Sequence, residues 1–106
     1  MIIKPITKRI AAKTTTVAID TSCVVFLIVV ACSAAGTAWT LQIQDKASTP
    51  NILIPAFTLT VPTDGKANIL LNLEQDFPLP MEGGIDIVTA GTTAGVVSVW
   101  MIVSTN

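Results

Sequence analysis

The chain has no histidine and no tyrosine, and only two cysteines. Without an imidazole the commonest general acid–base group is missing, and with two cysteines a zinc site of ordinary type is not available. Charge is scarce too, at 12% of residues. Five residues are aromatic: Phe26, Trp39, Phe57, Phe77 and Trp100. Helical periodicity is absent throughout, and Pro50, Pro55, Pro62, Pro78 and Pro80 would break any long helix through the middle. The remaining carboxylates are scattered. Glu74 and Asp76 form the one close pair, which reads as a solvated loop. Asp64 reads as a turn residue and Asp86 as a solvated strand residue. Cys32 lies in an apolar run with no basic partner, where burial raises a thiol pKa, so it is a poor nucleophile. The glycine-bearing stretches Met81–Gly84 and Ala90–Gly95 precede no helical pattern and read as hairpin turns, not phosphate cradles. No enzyme is expected, and no cofactor.

What the chain has is apolar surface. Apolar residues make up 51% of 106, and mean hydropathy is +0.70. One domain of this size holds one core, and the excess implies interfaces with subunits or partners. The longest apolar run is Cys23–Cys32, CVVFLIVVAC. A membrane span needs about 20 such residues. Val and Ile dominate the run, and β-branched side chains suit a pleated sheet. It reads as a central strand covered on both faces. On one regular strand Cys23 and Cys32 differ in parity and lie about 30 Å apart, so they would point to opposite faces and could not pair. The competing reading is an export leader, with Val29–Cys32 resembling a lipoprotein cleavage site and Cys32 carrying lipid. The polar interlude Thr14–Ser22, which holds Asp20 and alternates at Val17 and Ile19, opposes it.

Period-2 alternation recurs along the rest. Trp39, Leu41 and Ile43 share one face of Thr37–Gln44. Asn51–Val61 is a strand in which Pro55 favours an edge or a bulge. Pro62–Gly65 is a turn, and Ile69, Leu71 and Leu73 are in register over Lys66–Leu73. Asp76–Pro80 is an extended connector that cannot be a central strand. Ile85–Thr89 is a short strand. Val96–Ser104 closes the series with Val97, Val99, Met101 and Val103 on one face, Trp100 and Ile102 on the other, and both faces covered. Seven to eight short strands separated by turn signals specify an all-β fold, an antiparallel β-sandwich of jelly-roll or Greek-key type. Parity gives its core as Val25, Leu27, Val29, Trp39, Leu41, Ile43, Phe57, Leu59, Ile69, Leu71, Ile87, Val97 and Val99.

The net charge of −1 conceals an asymmetry. Lys4, Lys8, Arg9 and Lys13 precede residue 14, and all seven acidic residues follow it. Residues 1–13 read as an extended basic N-terminal arm and 14–106 as the sandwich domain. Those four cations are the candidate partner-binding residues, directed at an acidic neighbour, with a second copy of the body among the options. Nucleic acid is not the expected partner, because the arm has no aromatic residue to stack on bases and the body is acidic.

Several segments together follow a familiar grammar: ITKRIAAKTTTV, TAWTLQIQDKA, LTVPTDGKANILL and FPLPMEGGIDIVTAGTTAGVVSVWM. An aromatic residue leads into a T-L-x-I-x-D strand. A V-P-x-D-G turn, a G-G-I-x-I-V hairpin and a Val-rich last strand ending in an aromatic follow. Over most of residues 6–104 the chain resembles the small β-sandwich virion proteins of tailed bacteriophages. The resemblance implies a non-enzymatic virion protein, first of all a capsid cement or decoration protein that bridges capsid subunits. It implies the major capsid protein or other virion proteins as partners, a homo-oligomer, and no membrane. A neck or tail accessory ring is the alternative within the class. Outside it stand the lipoprotein anchored through Cys32 and a carbohydrate-binding sandwich, the latter weakened because at least three of the five aromatics are needed for the core.

Overall fold

The structure is a computed structural model that describes residues 2–11, 14–34, 39–59, 68–72, 79–91 and 96–105. These residues form nine β-strands and no helix: β1 (Ile2–Ile10), β2 (Thr15–Ile19), β3 (Cys23–Ala34), β4 (Thr40–Asp45), β5 (Ile52–Thr58), β6 (Asn68–Asn72), β7 (Leu79–Met81), β8 (Ile85–Ala90) and β9 (Val96–Thr105). All pairings are antiparallel. One sheet runs β1-β9-β3-β6, with β7 also on β3; the other runs β2-β8-β4-β5. The pairs β1/β9, β2/β8, β3/β6 and β4/β5 are the rungs of one long folded-back hairpin. Its tip is the Asp45–Asn51 turn. Rolled so that successive rungs alternate between two sheets, that hairpin is a jelly roll.

The two sheets close over one core. Trp39, Ile28, Leu41, Ile43, Ile85, Ile87, Met101, Val25, Val97, Val99 and Val103 are fully buried. β4 shows the alternation plainly, with Leu41 and Ile43 inward and Thr40, Gln42 and Gln44 half-buried on the other side. Burying each large aliphatic chain contributes about 1.5–3 kcal/mol against the entropy of ordering the strands.

Residues Ile2–Ile10 are not a separate arm. They pair with β9 along their whole length, from Ile2 opposite Thr105 to Ile10 opposite Val97. Ile10 is buried and Ile6 packs on the core. Strand hydrogen bonding, a buried Ile10 and a half-buried Ile6 outweigh the solvation preference of three cations, which stand on an edge where long side chains reach water.

The long apolar run is an interior strand, but its parity is not constant. The β3–β9 register shifts between Val25 and Leu27, leaving Phe26 as an extra residue. Before this bulge Cys23 and Val25 are buried; after it Ile28, Val30 and Cys32 are. Leu27 and Val29 therefore face outward rather than into the core, half-buried. The same bulge turns Cys23 and Cys32 to one side, the interior, instead of opposite faces. Both are buried thiols with no disulfide between them, and burial raises the Cys23 pKa.

Other expectations meet the structure unevenly. β5 is an edge strand whose register shifts around Pro55, in line with the edge or bulge that this proline favours. Leu79–Pro80 belongs to a three-residue strand at the rim of β3. Phe57 and Leu71 pack against the core without being fully buried. The Pro62–Gly65 turn, the Glu74/Asp76 pair, Leu73 and Lys13 lie outside the described residues.

Candidate functional site

The inward faces of the two sheets are alike; their outward faces are not. On the four-stranded sheet the outward rows are Thr40, Gln42 and Gln44 on β4, Asp86 and Val88 on β8, and Thr15 and Val17 on β2. Gln42 Nε2 donates to Gln44 Oε1 at 2.8 Å. Asp86 is not a solvated strand residue: its side chain is 14% exposed and its Oδ1 lies 3.4 Å from Lys46 Nζ. Lys46 Nζ also lies 3.8 Å from Asp20 Oδ1.

On the other sheet the outward rows read across the strands as Thr7–Trp100–Val29 and Pro5–Ile102–Leu27, with Arg9–Ser98–Ala31 toward one end. Trp100 is 41% exposed and Ile102 37%, on the strand that lies between β1 and β3. This corrects the expectation that both faces of the last strand are covered. Val24, Leu27 and Val29 are half-buried beside them, and Ile3 is exposed toward the far end. Among the described residues Arg9 is the one charged side chain in these rows. The result is a broad, nearly uncharged face, apolar at its centre and rimmed by Thr7, Ser98 and Asn72.

Among the described residues, the N-terminal cations Lys4, Lys8 and Arg9 do not share one face. Alternation along β1 sends Arg9 to the outward face with Thr7 and Pro5. Lys4 and Lys8 go to the inward side with Ile6 and Ile10, at the rim of the core. Inward-pointing charge and a proline are what edge strands carry to resist pairing with another chain. Lys4, Lys8 and Pro5 fit that role on β1.

At the hairpin tip Asp45 is a buried anchor for which the sequence carries no signal beyond a polar turn. Its Oδ1 accepts from the backbone N–H of Asn51 at 2.8 Å and of Ala47 at 3.2 Å, and its Oδ2 accepts from Asn51 Nδ2 at 2.8 Å. The Asn51 side-chain amide, with backbone donors behind it, holds the carboxyl below its ordinary pKa. Lys46 N donates to Glu82 O at 3.0 Å, tying the tip to the turn between β7 and β8. In that turn Gly83 N donates to Ser22 Oγ at 2.8 Å. These bonds tie the hairpin tip, the β7–β8 turn and Ser22 together at one end of the sandwich. Among the described residues no group of three His, Cys, Asp or Glu side chains could hold a metal ion. No helix among them is long and apolar enough to cross a membrane.

Of the aromatics, Trp39 is fully buried, and its Nε1 has no hydrogen-bond partner among the described residues. Phe26 and Phe57 are half-buried, Trp100 is exposed, and Phe77 lies outside the described residues. Among the described aromatics Phe57 packs against the core beside Trp39, and Trp100 is left for the surface. No protein-family model, no curated protein and no solved structure matches this chain.

Proposed function

We propose that the chain is a non-enzymatic structural protein of a bacteriophage virion, a capsid cement protein that stabilises the head by bridging capsid subunits. The observation that carries this reading is the contrast between the outward faces: a sandwich with one polar face and one apolar face led by Trp100 and Ile102. Such surface is costly to leave in water and marks interaction sites. The jelly-roll strand order is compatible, since viral capsid domains use it, but lectin domains and cupins use it as well, so the fold alone assigns nothing. The resemblance of the turn and strand motifs to phage virion proteins supplies the class.

In this reading Lys4, Lys8, Arg9 and Lys13 meet an acidic capsid neighbour, with Lys4, Lys8 and Arg9 displayed from the rim strand β1. Charge substitution tests this better than deletion, because removing residues 1–13 would strip β1 from β9 and expose an interior strand. Particles assembled with Lys4, Lys8 and Arg9 all changed to Gln are expected to carry less of the protein at physiological salt; unchanged occupancy would remove the basic residues from the interface. Copy number tests the location. A number comparable to that of the major capsid protein fits a cement, whereas a small fixed number would place the chain in a neck or tail ring. Lipidation at Cys32 would remove β1, β2 and most of β3 with the leader, which weighs against the lipoprotein alternative.

A further inference from the structure

We infer that the outward face of the β1-β9-β3 sheet is a self-association surface, on which two copies of this chain pair back to back about a two-fold axis. Four observations converge on a second copy as the occupant. The centre of the face, Trp100 and Ile102 flanked by Leu27 and Val29, carries no charge, so placing the patch against itself brings no like charges together. The opposite broad face carries Gln42, Gln44 and Asp86. Gln42 and Gln44 bond each other and Asp86 pairs with Lys46, but stacking this face on the apolar one would still take their remaining donors and acceptors out of water, which disfavours a head-to-tail array and favours apolar on apolar.

The rims do not invite association by strand addition. β1 has Pro5, β5 has Pro55, β7 has Pro80, β6 is only five residues long, and the register of β2 shifts between Val17 and Ile19. Size also suffices: the molecule measures 39 × 31 × 18 Å, and its broad faces exceed the roughly 800 Å² that a standard interface takes from each partner. Two such sheets would stack about 10 Å apart, as sheets do inside a sandwich, with Trp100 of each copy at the centre of the contact.

The inference goes beyond the virion reading and stands or falls on the purified protein alone. The test is sedimentation equilibrium of the full chain across a dilution series up to about 100 μM, where even weak pairs are populated. The expected result is a dimer of the 11.1 kDa chain. Trp100→Glu and Ile102→Lys should each weaken it by about a hundredfold or more, because two copies of the new charge face one another in a desolvated centre. Circular dichroism of the variants must match the parent; where Trp100→Glu does not fold, Trp100→Ser replaces it.

A wild type that stays monomeric throughout the series overturns the inference. So does a dimer that survives both face substitutions. Tryptophan emission gives a second measurement on the unmodified chain. Trp39 is already fully buried, so a red shift and stronger acrylamide quenching on dilution report Trp100 leaving an interface. Emission that ignores concentration counts against the pairing. A monomer whose face variants lose occupancy on particles would give this surface to another virion protein, overturning self-association while leaving the virion reading intact.

Discussion

The two sheets of this sandwich are built on the same inward plan and opposite outward plans. Val97, Val99 and Met101 on β9 meet Ile85 and Ile87 on β8 across the core, all essentially without exposure. Outward, β9 shows Trp100 and Ile102 where β8 shows Asp86 and Val88. The inner contrast with solvent makes the fold, since every strand can satisfy it with alternation alone. The outer difference contributes nothing to closing the core, so it is where a function built on contacts can be read.

Substitutions can break the comparison at its inner side first. Met101→Ala in one sheet and Ile87→Ala in the other should each cost about 2–5 kcal/mol, measured by urea denaturation, because both leave a cavity in one shared core. A large difference between them would mean that the sheets are not equivalent inside.

The crossing between the sheets comes next. Gly84 lies between β7 and β8 with φ +129°, and a Cβ there would collide with the Ile19 carbonyl oxygen. Gly84→Ala should lower stability by about 1–3 kcal/mol in the same assay, the usual cost of forced backbone strain.

The tip of the polar-faced sheet is sharpened by pH. The Asp45 pKa is lowered in the folded state, so its contribution is present above the ordinary carboxylate value near 4 and is lost as pH falls through the folded pKa. Thermal unfolding followed below about pH 4 should show this loss, and Asp45→Asn should flatten the pH dependence there. The smallest effect is expected on the polar outer face. Gln42→Val should change stability by no more than about 0.5 kcal/mol, and adding Gln44→Val should make that face associate where it did not before, seen by light scattering.

Much of the architecture is written in alternation that survives folding. Leu41 and Ile43, Ile85 and Ile87, and Val97 through Val103 all occupy the faces their parity implies. Parity is uninformative where every residue is apolar. Within CVVFLIVVAC a bulge at Phe26 swaps the two faces without changing hydropathy, so Leu27 and Val29 read as core while Ile28, Val30 and Cys32 are the buried ones. β1 is hidden for a different reason: the lysines and proline that protect an edge strand are also what a solvated tail would carry. Trp100 misleads because a large aromatic in a strand is expected to be covered, and nothing local reports which face looks outward. Asp45 reads as one polar residue in a turn, since its anchoring depends on where Asn51 returns.

The place of β9 in the sheet sets an order on biosynthesis. β9 lies between β1 and β3, yet of the nine strands it is the last to be made. All four strands of the other sheet have been translated before Val96, while β1 and β3 must wait for the strand that separates them. Until then the nascent chain holds two unsatisfied strand edges about ten residues short of closure. β9 thus acts as the latch of its sheet, which cannot close until that strand has left the ribosome.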